Sequence, residues 1–280
     1  MWHPATQSWL WSDIENARLW RHHPASGVVQ SCPVRDRVGA FTVARSGRFL
    51  LAFAKSLEWA DVDWDAGRAS YVPIADLEVD QPTTRSNDGR TDRQGNFVFG
   101  TMNETEGHAP IGHLYQYSTR HGLRRLDVGR VGIANSICFS PDGTTMYFCD
   151  SMQGCITACD YDARGAGVSN LRVLVTLAAG QGMPDGSVVD AAGSVWNAQW
   201  GGAAVRRYSP DGTLLATSLV PVDHVTCPAF GGPDLSVLCV TTARMLVPES
   251  RLAAQPETGG LFRVNAHDAK GLADAEFDDG

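Results

Sequence analysis

A short alternation of apolar and polar positions, entered each time through a tight-turn signal, recurs along the chain. Its clearest members are Ser46 to Phe53, Gln94 to Thr101, Asp142 to Cys149 and Ala192 to Ala198. Each reads as a turn leading into a half-buried β-strand. The turn glycines Gly47, Gly95, Gly143 and Gly193 are 48, 48 and 50 residues apart, and weaker members at Thr6 to Trp11 and Pro233 to Val240 extend the series to six units in 280 residues. A second strand follows within most units, at Ala17 to His22, Gly112 to Tyr117, Cys155 to Tyr161, Ala204 to Tyr208 and Gly260 to Val264. Only Arg244 to Ala254 carries a helical pattern. Repeats of about 40 to 50 residues with four short strands are the signature of a β-propeller, whose blades cannot bury their faces alone and share a core around a ring. The expected fold is therefore all-β, one six-bladed β-propeller domain over residues 1–280.

The same register locates a site. The first residue of an inner strand faces the central channel at one end, and the following turn lies at the other. Eight residues before the turn glycines stand Asn87, Asn135 and Asp185, three oxygen-bearing side chains at one equivalent position in successive blades. Amide and carboxylate oxygens converging on an axis suit a hard divalent cation with positions left for water and substrate. Asn-Asp-Gly at Asn87 and Pro-Asp-Gly at Pro184 are also ordinary turn sequences; the shared register favours a site. The corresponding positions of the second and sixth blades are Gly39 and Thr226, and in the first blade the position falls before Met1. At the end of the next strand the chain returns to the same mouth through Glu104, Asp150 and Ser151, Gln199 and Trp200, and Thr242 and Arg244. Arg85, two residues before Asn87 and on the same side of an extended strand, reads equally as a donor to a substrate hydroxyl or as a surface residue.

Composition narrows the ligand. With 23 Lys plus Arg against 31 Asp plus Glu the net charge is -8, which disfavours nucleic acid and anionic membranes as partners and leaves a small molecule. No apolar run approaches the roughly 20 residues of a membrane span, and the first ten residues lack the parts of a signal peptide, so the expected location is cytoplasmic. Seven cysteines, without a Cys-x-x-Cys pair, signal neither a disulfide framework nor a zinc site. Nucleophile-elbow, zincin, dinucleotide and phosphate-loop motifs are absent. The eight histidines show no metal-ligand spacing, and only His108 and His113 fall near the loop after Glu104.

At these residues the chain resembles the regucalcin/gluconolactonase family of six-bladed propellers, whose members bind one divalent metal and hydrolyse sugar lactones. The resemblance covers nearly the whole chain. It rests on Arg85 to Gly89 with Gly100 to Met102, Ile133 to Ile137 with Ser140 to Gly143, Met183 to Asp190, Phe230 to Asp234, Thr241 to Arg244 and Gln255 to Phe262. The resemblance implies that Asn135 and Asp185 bind the metal, that Asn87 lies at both metal and substrate, and that Arg85 contacts the sugar. Glu104, with Glu106 as the alternative, matches an acidic substrate-binding residue, and Asp185 is the catalytic base or nucleophile. The implied cofactor is one divalent ion, Ca, Zn, Mn or Mg.

One departure stands out. Relatives carry a metal-binding glutamate in a short segment just before the tryptophan matched to Trp2, where this chain has Met1, and they use the preceding residues as the outer strand that closes the last blade onto the first. The expectation is a weakened metal site, with Glu15 as the nearest acidic substitute, and a ring closed by another strand or left with an open edge. The function implied is metal-dependent opening of a sugar (aldono) lactone, such as glucono-, arabinono- or xylonolactone, in carbohydrate catabolism. The alternatives are a promiscuous esterase or organophosphate hydrolase on the same site and a non-catalytic metal-binding propeller.

Overall fold

In the computed structural model, which describes all 280 residues, the chain forms six small antiparallel sheets set in a ring. The first sheet contains β1 (Trp2–His3), β2 (Ser8–Asp13), β3 (Arg18–His23) and β4 (Val28–Pro33). The second contains β5 (Val38–Val43), β6 (Phe49–Phe53), β7 (Ser56–Asp63) and β8 (Arg68–Asp76), and the third β9 (Thr84–Thr91), β10 (Phe97–Asn103), β11 (Gly112–Ser118) and β12 (Gly122–Val131). The fourth has β13 (Ala134–Phe139), β14 (Thr145–Asp150), β15 (Cys155–Asp162) and β16 (Gly167–Thr176), and the fifth β17 (Met183–Val189), β18 (Val195–Trp200), β19 (Ala204–Tyr208) and β20 (Leu214–Leu219). The sixth has only β21 (Val225–Gly231), β22 (Val237–Thr242) and β23 (Leu261–Val264). Strand order in every sheet follows the chain, and neighbouring sheets meet mainly through their first strands, which line the axis. This is a six-bladed β-propeller.

Local chemistry explains the repeat. The turn between the first two strands of a blade is drawn tight by an aspartate: Asp92 Oδ1 accepts from the N–H groups of Gln94 and Asn96, and Asp190 Oδ1 from those of Ala192 and Ser194. The turn then needs a left-handed residue, supplied by Gly95 at φ 88° and Gly193 at φ 85°. In the first and sixth blades Gln7 (φ 48°) and Leu235 (φ 57°) take the same conformation. Those two units are therefore faint in sequence although their geometry is the same. The helix anticipated over Arg244 to Ala254 is confined to α1 (Glu249–Ala254), which buries no residue.

The core lies between blades. Fully buried Leu50, Phe97, Phe99 and Phe277 join the second and third sheets, and Trp196 with Val225, Phe230 and Val240 joins the fifth and sixth. The ring closes through tryptophan packing. Trp2 and Trp9, ring centroids 5.1 Å apart, sit against Ala229 and Cys239 of the sixth blade. A Cβ added at Gly231 would stand 2.4 Å from the Trp9 ring. β23 remains an outer edge with no fourth strand on it.

Residues 265–280 cross the turn-side floor of the ring as a strap. The N–H of Ala191 donates to Lys270 O, that of Phe277 to Val43 O and that of Asp278 to Gly95 O, so the strap touches the fifth, second and third blades in turn. Phe277 stacks on Tyr117 with centroids 5.6 Å apart. Above it, Asp274 pairs with Arg90, both side chains 13% exposed, and Arg90 Nη2 also donates to Ser187 O. Burial alone would raise the Asp274 pKa, but the Arg90 guanidinium overcomes it and holds this carboxyl below the ordinary carboxylate range. A depressed pKa means that the pair contributes its full stability above the unfolded value near 3.9 and loses it as pH falls through the folded value. Asp274→Ala leaves Arg90 buried and unpaired and is expected to cost about 3–5 kcal/mol at neutral pH, measured by urea denaturation, with a smaller penalty at pH 3.

Candidate functional site

The inner strands do not run straight past the register that holds Asn87, Asn135 and Asp185. In β9 the pairing with β10 jumps from Ser86 to Gly89, in β13 it jumps from Asn135 to Cys138, and in β17 from Pro184 to Ser187. The same irregularity occurs in β5 between Val38 and Ala40 and in β21 between Val225 and Pro228. Such bulges release a residue from the ladder and re-aim its side chain. Here they sit at one level of the ring in five successive blades.

Two asparagines meet directly at that level. Asn87 Nδ2 donates to Asn135 Oδ1 at 3.2 Å and to the Ala134 carbonyl at 2.9 Å, while Asn87 Oδ1 accepts from Arg85 Nη1 at 2.9 Å. Arg85 thereby sets the amide so that its NH2 faces Asn135. Asn135 Nδ2 donates to Ser151 Oγ, which donates to the Pro184 carbonyl at 2.7 Å and so ties the fourth blade to the residue before Asp185. Ser136, buried and left-handed at φ 60°, donates to the Asp185 carbonyl, and Asn197 Nδ2 donates to the same oxygen at 3.0 Å. A non-glycine residue in this conformation, locked by four polar neighbours, is backbone strain at a site.

The Asp185 carboxylate takes one protein donor, the Gly186 N–H to Oδ1 at 2.9 Å. Burial pushes its pKa well above the ordinary carboxylate range, and the neighbouring Asp88 adds to the shift. Asp88, whose Oδ2 accepts from Ile137 N–H at 2.9 Å, is likewise raised by burial. Two carboxyl groups thus lie close enough for the Asp88 charge to act on Asp185, and each has few donors. No three His, Cys, Asp or Glu side chains form a cluster, so the potential donors are oxygens of a carboxylate and amides. That hard, under-satisfied set fits a divalent cation, whose charge would offset the burial of Asp185.

A second group lies nearer the mouth. Glu104 Oε1 accepts from Arg85 Nε at 3.1 Å, and its carboxylate is also held by Arg37 Nη1 and Nη2 at 2.5 and 2.8 Å. The Arg37 bond, then the Arg85 charge, holds the Glu104 carboxyl below the ordinary range against its partial burial. Glu15 Oε1 reaches to 4.0 Å from Arg85 Nη2, so Glu15 stands at the rim beside an arginine. Glu106 is exposed beyond Glu104. His108 bonds the Asn103 carbonyl and His113 faces Glu78. Trp200 stacks on His224 with centroids 4.0 Å apart, whereas Gln199 is buried against Tyr208.

The expected residues Arg85, Asn87, Asn135 and Glu104 are therefore joined in one hydrogen-bonded chain, and Asp185 is tied to it through Ser136 and Ser151. Asp88, Ser136, Asn197 and Arg37 also belong to this network and are not among the expected residues. Arg37 had a signal, since it precedes Arg85 by the same 48 residues that separate Gly47 from Gly95. Ser136 and Asn197 had none, because their roles arise from contacts between blades.

A six-bladed ring with amide and carboxylate oxygens at one level of its axis defines the class as a β-propeller with a polar central channel. Residues 1–244 match the family model of the SMP-30/Gluconolactonase/LRE-like region, and the chain belongs to that family. It is 38% identical to L-arabinolactonase of Azospirillum brasilense, over 99% of this chain and 90% of that protein. It is 36% identical to pentonolactonase XacC of Haloferax volcanii, over 87% of this chain and 80% of that protein. Among solved structures, the calcium-binding protein regucalcin from Agrobacterium tumefaciens superposes with a TM-score of 0.90 at 34% identity, covering 99% of this chain and 92% of that one.

Ser136→Ala removes the hydroxyl that joins the fourth and fifth blades at Asp185, and an unfolding free energy lower by about 1–3 kcal/mol is expected. Ser136→Val should be worse, since a β-branched residue resists the left-handed backbone; urea unfolding curves of the two variants check the order.

Proposed function

We propose that this protein is a metal-dependent hydrolase that opens a small sugar (aldono) lactone, such as glucono-, arabinono- or xylonolactone, in carbohydrate catabolism. The carboxylic-ester hydrolase class is supported by membership of the family and by curated relatives named lactonases over most of the chain. The observation that carries the reading is the Asp185 carboxylate with its single protein donor, at the same bulge level of the ring as the Asn87–Asn135 pair.

Asn135 Oδ1 and the Asp185 carboxylate would hold the cation, with Asn87 beside them. Once bound, a divalent ion supplies Lewis-acid polarisation of the lactone carbonyl and stabilisation of the developing oxyanion. Asp185 has one carboxylate oxygen without a protein donor, which would take a proton from water or attack the carbonyl itself. Arg85 Nη2, which no protein hydrogen bond takes, would donate to the sugar hydroxyls, with Asn87 beside it, and Glu104 offers acceptor lone pairs. Its arginine partners keep Glu104 ionised, so it accepts throughout the neutral range.

Hydrolysis of an aldonolactone panel, followed with a pH indicator, tests this. Metal-stripped protein should be inactive, and calcium, manganese, zinc or magnesium should restore turnover. Asp185→Ala should lower kcat/KM by at least about 100-fold. No turnover by the wild type with any of the four cations would overturn the proposal. Cation affinity, measured by calorimetry, should rise about tenfold per pH unit while Asp185 is protonated and level off above its raised pKa, because binding then displaces one proton.

A further inference from the structure

The residue two places before the bulge level stands one side-chain repeat nearer the mouth. Around the second to sixth blades these residues are Arg37, Arg85, Ile133, Met183 and His224. The ring they form is two-faced. Guanidinium groups lie over the second and third blades, aliphatic side chains over the fourth and fifth, and the His224 imidazole, stacked on Trp200, over the sixth.

Arg37 and Arg85 are register equivalents, yet they are placed differently. Arg85 is 4% exposed and spends Nη1 on Ser86 O and Asn87 Oδ1 and Nε on Glu104, which leaves Nη2 alone without a hydrogen-bond acceptor. Arg37 is 31% exposed; it bridges from the second blade to the third, fork to fork on Glu104. No protein acceptor takes its Nε–H. Glu104 is thereby pinned between two cations and held by its own N–H on the Thr83 carbonyl at 2.8 Å. Without Arg37, nothing else in the second blade would restrain the Glu104 carboxylate, and the rim over that blade would lose its donor.

We propose that Arg37 is a substrate-binding and specificity-determining residue, which holds Glu104 in place and donates to hydroxyl groups of the lactone on the side facing the second blade. The polyhydroxylated edge of the ring would lie toward Arg37, Glu104 and Arg85, and its less polar edge toward Ile133 and Met183. The proposal rests on the lactonase reading above and adds to it the residue that distinguishes a hydroxylated lactone from a bare one.

The test uses Arg37→Met and Arg37→Lys in the cation-loaded protein, with arabinono-1,4-lactone and γ-butyrolactone as substrates. Arg37→Met should raise KM for the hydroxylated lactone about 10- to 100-fold, with kcat within about threefold, the pattern of lost uniform binding. Its KM for γ-butyrolactone should stay within about twofold. Arg37→Lys should recover part of the loss, since an ammonium keeps the charge but not the fork. Calorimetric titration with arabinono-1,4-lactam, which is not readily hydrolysed, should show the same weakening without any turnover. Equal losses on both lactones, or an unchanged lactam dissociation constant in Arg37→Met, would overturn the proposal. A wild type that binds the lactam but hydrolyses no lactone would remove the lactonase reading and leave Arg37 to be judged by the lactam constants. A wild type that binds neither would remove both.

Discussion

The crowding of inner strands around one axis governs the rest of the molecule. Where β5 passes β9 the backbones are so close that a Cβ at Gly39 would lie 2.2 Å from the Ser86 carbonyl oxygen, and the Gly39 N–H instead points to Ser86 Oγ. The second blade therefore gives the bulge level a glycine and no ligand. At the same level the third, fourth and fifth blades have room for Asn87, Asn135 and Asp185. Interiors packed this densely transmit a small change in one strand to its neighbour. The polar site is thus part of the same contact that holds the blades together, and Ser136 and Ser151 serve both.

Electrostatics along the channel follow from that geometry. Moving from mouth to floor, the chain places the Arg37–Glu104–Arg85 group, then the Asp185 and Asp88 carboxyls, then the Arg90–Asp274 pair above the C-terminal strap. The inner group is a one-to-one ion pair, and the outer one sets two guanidinium groups against Glu104, with Glu15 4.0 Å from Arg85 as a further anion at the rim. The middle one makes no ion pair, and both of its carboxyls are pushed up by burial. An uncompensated pair of partly buried carboxyl groups is costly unless protonated or met by a cation, which concentrates the chemistry of the molecule at one level.

The seam of the ring shows how the structure answers a question that pattern alone left open. A sixth blade with three strands has no shared sheet with the first blade, and the two are joined by Trp2 and Trp9 packed on Ala229 and Cys239. The strap below adds main-chain hydrogen bonds to three further blades. Packing and strap together do the work that a shared strand does in other rings, at the expense of an uncovered edge on β23.

By itself the sequence determined the number of blades, the direction of each inner strand and the level at which Asn87, Asn135 and Asp185 stand, because turn chemistry and alternation are local and repeat with the period of the fold. Gly47, Gly95, Gly143 and Gly193 marked the turns since only a left-handed residue serves there, and the equivalent Gln7 and Leu235 stayed faint because the side chain hid the conformation. Membership of the family and the neighbourhood of Arg85, Asn87 and Glu104 were legible for the same reason. Tertiary structure alone decided which way the Asn87 amide turns, that Ser136 joins two blades at Asp185, and that the Asp88 charge bears on Asp185. It also decided that Arg37 grips Glu104 from the next blade and that Asp274 returns from the far end of the chain to Arg90. Each of these depends on groups 47 to 184 residues apart in sequence meeting between neighbouring blades or over the strap, and no local pattern encodes the distance between blades.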